Sequence, residues 1–214
     1  HKNQETPGKL EMDSVYLVDS GGQYLDGTTD ITRTVAVGKP SKFMQQAFTL
    51  VLQGHIALGS AQFPEGIAGQ HLDTLARQYL WRHGYDYEHG TGHGVGSYLN
   101  VHEGPQGIGK GANNVPLKEG MILSNEPGYY KENKFGIRCE NLVVVKKIEY
   151  NGKNILGFEN LTFVPFDARL MAKEMLTIKD KKWINTYHGE VLEKIGPHVA
   201  GDVKDWLIKS TKTI

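Results

Sequence analysis

The sequence predicts an α+β fold made of two related halves, followed by a helical extension at the C-terminal end. Three observations carry that reading. Short runs of aliphatic and β-branched residues are bounded by turn signals, as paired strands require. Amphipathic helical stretches lie between the early and the late strand pairs. One pattern also occurs twice: strand, acid, Gly–Tyr element, turn, acid, strand. It runs from Val15 through Asp19 and Tyr24 to Asp30, and again from Met121 through Glu126 and Tyr130 to Glu140.

The elements follow in chain order. Val15-Tyr16-Leu17-Val18 reads as a buried strand and Thr32–Val37 as its return partner, with Asp26-Gly27 as the turn. A two-residue turn at that place pairs Gln23 with Asp30 and leaves Asp19 roughly 13 Å further along the strand. A wider loop, or a bulge at Gly21-Gly22, is therefore expected to bring the two acids together. Ser41 suits the N-cap of a helix with Phe43, Ala47, Leu50, Val51 and Ala57 on its apolar face. A second helix turns Leu72, Leu75, Ala76, Tyr79 and Leu80 inward and stops at Gly84. Beyond the glycine-rich stretch at 90–96, Met121-Ile122-Leu123 and Leu142–Val145 read as strands. From about residue 165 the pattern becomes helical: Trp183, Ile184, Tyr187, Val191, Leu192 and Ile195 share a face, and Gly196-Pro197 ends it. A short helix around Trp206-Leu207-Ile208 follows, and Trp183 and Trp206 are expected in the core. Residues 1–164 thus form the main domain and 165–214 an extension packed on it.

Composition removes several function classes. Lys and Arg number 24 against 24 Asp and Glu, so there is no basic footprint for nucleic acid or an anionic membrane surface. A single Cys excludes a disulfide framework and a Cys-rich zinc site, and a reducing, cytoplasmic setting fits best. No apolar run approaches the roughly 20 residues of a membrane span. No signal-peptide pattern opens the chain.

The four repeated acids stand out because Asp and Glu are depleted from strand interiors and seldom buried without a partner. Gathering Asp19, Asp30, Glu126 and Glu140 costs several kcal/mol in mutual repulsion unless a cation joins them. Next come His89 and His93 on an almost side-chain-free backbone, with His102 nine residues on. A phosphate loop is unsupported, since no Gly-x-Gly-x-x-Gly opens a helix and no Gly-Lys-Ser/Thr occurs. Nor is there a His-Glu-x-x-His. His55, His71, His83, His188 and His198 stand alone and read as structural. Four carboxylates with imidazole and no thiolate favour Mn²⁺, Mg²⁺, Fe²⁺ or Co²⁺ over a structural zinc. Two divalent ions balance four carboxylates, and a pair about 3.5–4 Å apart is a standard hydrolytic arrangement. The residues themselves therefore suggest a metal-assisted hydrolase.

Five motifs in order, Asp19–Thr34, His89–Gly96, Asn100–Pro105, Asn125–Tyr130 and Phe135–Asn141, resemble the pita-bread metallopeptidases, most closely the Xaa-Pro aminopeptidases of the long multidomain type. The resemblance implies two pseudo-symmetric αβ halves around a curved antiparallel sheet. It implies metal ligands Asp19, Asp30, His93, Glu126 and Glu140, with Asp30 and Glu140 shared between two Mn²⁺ ions (Co²⁺, Fe²⁺ or Zn²⁺ as alternatives). Glu126 would be the acid/base partner of a hydroxide between the ions. His89 and His102 would line the substrate site, His102 hydrogen-bonding the tetrahedral intermediate. Arg138 is grouped with them at the substrate site and would steady the carboxylate cage. The implied reaction is release of the N-terminal residue from peptides with proline second, a bond without an N–H.

Long members of that family also carry a histidine about twenty residues before the first ligand. His1 sits two positions late for it and is not given the role. Their N-terminal domains have no counterpart here, so the chain is expected to be the catalytic portion of a longer, homodimeric enzyme, with a tail like this one contributing to dimer contacts. Prolidase and methionine aminopeptidase share the ligands, but the His102–Pro105 segment and the tail fit them less well. Metal-free pita-bread modules that bind peptides or histones have lost ligands that all stand here. A fragment that binds metal yet needs its missing domains for activity is the remaining alternative. Cys139, beside Glu140, has no expected thiol chemistry.

Overall fold

The computed structural model describes residues 8–96 and 100–214; the His1 reading lies outside them. Strands β1 (Ser14–Tyr24) and β2 (Gly27–Val37) form the first antiparallel hairpin. Tyr24 faces Gly27, so the two loop residues are Leu25 and Asp26, one position earlier than the turn expected from the sequence. That displacement corrects the register by two residues: Gln23 faces Thr28, and Asp30 faces Gly21. No bulge or wider loop is involved, because pairing runs unbroken from Ser14 to Tyr24. An even shift keeps every side chain on its face. It halves the offset between Asp19 and Asp30, and it sets a residue with no side chain opposite the Asp30 carboxylate, which leaves that group room.

Helix α1 (Lys42–Gly59) begins where expected, the Ser41 hydroxyl accepting the Met44 N–H at 3.2 Å. Helix α2 (Asp73–Trp81) precedes a left-handed Gly84 with φ +72°. Two short strands, β3 (Gly92–His93) and β4 (Gly107–Ile108), pair antiparallel. The second half contains β5 (Ile122–Asn125), β6 (Gly128–Lys131), β7 (Phe135–Arg138), β8 (Asn141–Tyr150) and β9 (Lys153–Asn160). β8 lies between β5 and β9, while β6 pairs with β7.

The acids of this half sit at the breaks between those strands. Asn125 faces Asn141 and Gly128 faces Arg138, so one register spans the gap and Glu126 stands opposite Glu140. At the gap the backbone turns outward for its hydrogen bonds: Glu126 N–H donates to the Thr91 carbonyl at 2.8 Å, and Glu140 N–H to the Thr32 carbonyl at 3.1 Å. The second bond joins the two halves, since Thr32 lies on β2.

Helices α3 (Ile178–Ile195) and α4 (Gly201–Ser210) complete the chain. Phe48, Leu52 and Ile56 of α1 share one buried cluster with Phe166, Ile184, Tyr187, Val191 and Leu207. Leu58 at the far end of α1 joins a second cluster with Leu72, Ala76, Leu123, Val143, Val145 and Leu156. Trp183 packs against the first cluster and stacks on Tyr187, with ring centroids 5.2 Å apart. Trp206 departs from expectation: it is 54% exposed, because Leu207, one residue on, takes the inward face of α4.

Candidate metal centre

Asp19 and Asp30 come from the first hairpin, Glu126 and Glu140 from the gap in the second, and His93 from β3. The structure brings all five together. Ligand atoms of Asp19, Asp30 and Glu140 lie within 4.8 Å of one another, as do those of His93, Glu126 and Glu140. A third group of the same span joins Asp30 and His93 with His102.

His93 reaches this place because its backbone lies flush on β5. A Cβ at Gly92 would meet the Ser124 carbonyl oxygen at 2.0 Å, so no larger residue fits. The Ser124 hydroxyl accepts the His93 backbone N–H at 2.9 Å and donates to Glu126 Oε1 at 2.9 Å, tying the His93 backbone and the Glu126 carboxylate to one atom. The His93 Nδ1–H donates to the Gly94 carbonyl at 3.0 Å. Nε2 is thereby left facing Glu126 Oε1 at 3.2 Å and Asp30 Oδ2 at 3.4 Å.

Burial and mutual repulsion shape the electrostatics of the cluster. Burial, then the charges of Glu126 and Asp30, push the Glu140 carboxyl up to about 8. Burial likewise raises Glu126. His93 is pulled down by burial, but its bond to Asp30, the Gly94 carbonyl and the neighbouring carboxylates outweigh this and hold it at about 9. Convergent carboxylates, an imidazole with its Nε2 pointed inward and no thiolate suit hard divalent ions.

Arg138 is spent on the cage. Its Nη2 donates to Asp19 Oδ2, its Nε to Thr32 Oγ1 at 2.9 Å, and its Nη1 to the Tyr130 hydroxyl at 3.0 Å. Thr32 Oγ1 passes the link on, donating to Glu140 Oε2 at 2.6 Å. Tyr130 in turn donates to His89 Nε2 at 2.8 Å, while the His89 Nδ1–H bonds the Gly90 carbonyl at 2.7 Å. Burial chiefly, aided by Arg138 and Arg77, lowers the His89 pKa and keeps this ring neutral.

A cavity of about 300 Å³ opens over the cluster, lined by Asp30, His93, His102, Glu126 and Glu140 with the Gly21–Gln23 strand at its edge. His102 borders it, its ring centroid 4.1 Å from that of His93. His89 stands back from it, behind Tyr130.

Sequence reasoning gave no role to Thr32 and Ser124. Strand parity is the signal that finds them: each lies two residues from an acid, Thr32 after Asp30 and Ser124 before Glu126, as Arg138 lies before Glu140. Cys139 is buried among apolar groups, which pushes its thiol up to about 12. His55 and His188 are buried and neutral, as lone structural histidines should be.

The sequence profile of metallopeptidase family M24 matches residues 1–147, and that of the C-terminal region of M24 peptidases matches 154–214. A probable Xaa-Pro aminopeptidase P of Arthroderma gypseum is 49% identical over 219 residues, covering 99% of this chain and 34% of its own length. A protein of the same description from Metarhizium robertsii is 52% identical over 213 residues, covering 96% and 34%. The crystal structure of an X-prolyl aminopeptidase from Caenorhabditis elegans, described as a cytosolic enzyme with a di-nuclear active site, superposes with a TM-score of 0.88. It is 45% identical and covers 94% of this chain and 34% of the nematode enzyme. A prolidase from Pyrococcus furiosus gives a TM-score of 0.64 at 30% identity, covering 74% of this chain and 44% of its own. The chain thus spans about a third of the length of the curated relatives it matches. With both profiles aligned in order and relatives near half identity along nearly its whole length, the chain belongs to metallopeptidase family M24.

Proposed function

We propose that this chain is the catalytic portion of a dinuclear-metal aminopeptidase that hydrolyses the N-terminal Xaa-Pro bond of peptides. The observation that carries the proposal is the convergence of Asp19, Asp30, His93, Glu126 and Glu140, drawn from both halves, at the floor of one cavity. These five side chains would hold two divalent ions, Mn²⁺ first by donor hardness. When bound, such a pair supplies Lewis acidity and makes water a nucleophile at neutral pH.

The remaining work falls to the protein. Glu126, raised by burial and held by Ser124, is placed to take and return a proton at its carboxylate. His102 borders the cavity where a developing oxyanion would need a donor. Arg138 and Thr32 keep Asp19 and Glu140 oriented. His89, neutral and set back from the cavity, is linked to Arg138 through the Tyr130 hydroxyl. A tertiary amide offers no N–H, so recognition must come from the substrate's carbonyl, its free amine and the shape of the ring. A cytosolic setting, as stated for the nematode enzyme, accords with one buried free thiol. Exposed Val203, Trp206 and Ile208 on α4 would suit pairing of two copies in the full-length protein.

Metal analysis tests the centre: after mild chelation and Mn²⁺ re-addition, wild type retains about two ions per chain and Glu140→Gln fewer. Equal content in both would sink the assignment. For substrate, the full-length parent is offered Arg-Pro-Pro and Met-Ala-Ser peptides, and cleavage of the second alone would point to a methionine aminopeptidase. An active full-length protein and an inactive metal-bound chain of residues 1–214 would show that segments outside these residues complete the site.

A further inference from the structure

We propose that Arg33 and Tyr187 are positioning residues for the metal centre, through which the C-terminal extension holds the backbone that carries Glu140. The proposal rests on the metal reading above. Arg33 lies three residues after Asp30, so strand alternation turns it to the opposite face, away from the cavity and into the interior. It is 5% exposed. Among the described residues no carboxylate pairs with it; carbonyl and amide oxygens receive its donors instead. Nη1 donates to the Thr32 carbonyl at 3.0 Å and to the Glu140 carbonyl at 2.5 Å. Nη2 donates to Asn141 Oδ1 at 2.7 Å, the Val164 carbonyl at 2.7 Å and the Tyr187 hydroxyl at 3.0 Å. The guanidinium also lies 4.0 Å over the Phe166 ring.

A buried cation without a counter-charge is costly, and oxygens must be held rigidly to compensate it. The oxygens chosen here belong to the ligand scaffold. The Thr32 carbonyl is the one that accepts the Glu140 N–H, and the Thr32 hydroxyl is the one that grips the Glu140 carboxylate. Arg33 therefore fastens both strands at the point where the halves meet, one residue behind the cage. Tyr187, 2% exposed on α3, sets the other end. Its hydroxyl accepts from Arg33 and donates to the Thr162 carbonyl at 2.9 Å. The fork geometry matters because only a planar guanidinium can serve five oxygens at once. Residues buried under a metal site that orient its ligands usually change affinity by about 10–100-fold when altered.

The test compares four chains: wild type, Tyr187→Phe, Arg33→Lys, and Ile178→Ala, an exposed control on the same helix. Mn²⁺ affinity is read by calorimetry and ligand geometry by the visible absorption spectrum with Co²⁺. Urea denaturation of the metal-free chains runs beside them. Tyr187→Phe keeps the ring and is expected to weaken Mn²⁺ binding about tenfold and to shift the Co²⁺ bands. Arg33→Lys should weaken binding further, and Ile178→Ala should match wild type. A Tyr187→Phe chain with wild-type affinity and spectrum overturns the proposal, even if its stability falls, because the hydroxyl then serves the fold alone. Should Arg33→Lys fail to fold, Tyr187→Phe still decides. A wild type that binds neither ion overturns the metal reading, and this proposal with it.

Discussion

Acid should loosen the seam between α3 and the rest of the chain, and two buried histidines set by how much. His188 Nε2 accepts the Phe166 N–H at 3.1 Å, so its proton sits on Nδ1 and the ring is neutral. Protonation would turn a donor toward a donor. Burial, then the charge of Arg33, lowers this histidine from 6.5 to about 4. His55, which meets the Asn125 carbonyl through Nδ1 at 3.1 Å, is lowered to about 3, again by burial first. Both folded values lie below the unfolded one. The unfolded chain therefore takes up protons first, so the stabilisation is complete above about pH 6.5 and is lost as pH falls toward the folded values. From about pH 7 to about pH 5 each histidine costs roughly 2 kcal/mol, so the pair costs about 4, against a total of about 5–15 for a typical domain.

His188→Gln keeps an acceptor for Phe166 and removes one of the two titrations. Urea unfolding of both proteins in chelator, at the two pH values, should show the variant losing about 2 kcal/mol less than wild type. Glu126 and Glu140, whose pKa values are raised, pull in the opposite direction, since acid favours their folded form. They are common to both chains and cancel in the difference. Equal acid losses in wild type and His188→Gln would refute the reasoning.

Thr32→Val removes the hydroxyl between Arg138 and Glu140 without changing shape. Mn²⁺ affinity should fall about 10–100-fold and metal-free stability by about 1–3 kcal/mol, and calorimetry with urea unfolding checks both. Gly92→Ala drives a Cβ into the Ser124 carbonyl, where 2.0 Å separates them, so β3 must lift and carry His93 away. Metal content measured after gel filtration should drop; full occupancy would show that the strand yields cheaply. Binding should also release protons, because His93 at about 9 and Glu140 at about 8 are protonated near neutrality and must give them up. Calorimetric heats in buffers of different ionisation enthalpy should differ by about one proton or more per chain, and affinity should rise with pH; buffer-independent heats would contradict this.

The acids and His93 were legible because their chemistry conflicts with their surroundings. Carboxylates beside Leu17-Val18 or Leu142–Val145, and imidazoles on bare backbone, break local rules in ways that cost energy unless a site repays it. The hairpin register was not. Asp26-Gly27 and Leu25-Asp26 both close a two-residue loop, and the choice depends on room for Asp30 opposite Gly21, a tertiary matter. Arg33 was silent for another reason: in sequence it is a charge on a strand. Its partners Glu140 and Tyr187 lie 107 and 154 positions away and are reached through a carbonyl and a hydroxyl, which no motif records. Trp206 was misplaced because an indole near an apolar run reads as core, whereas Leu207 occupies the buried stripe.

The gap between β5 and β6, matched by that between β7 and β8, has a consequence for how the molecule opens. At Glu126 and Glu140 the amides are latches: one clasps the glycine-rich segment and the other clasps the first hairpin. Unfastening either amide moves a ligand, so local breathing and loss of the centre become a single event. An ion that binds the closed form then acts as a lock, and its concentration sets how often the latches lift. The exchange rates of these two amides with deuterated water would serve as a built-in occupancy gauge, slowing together as metal is added and quickening together as it is withdrawn.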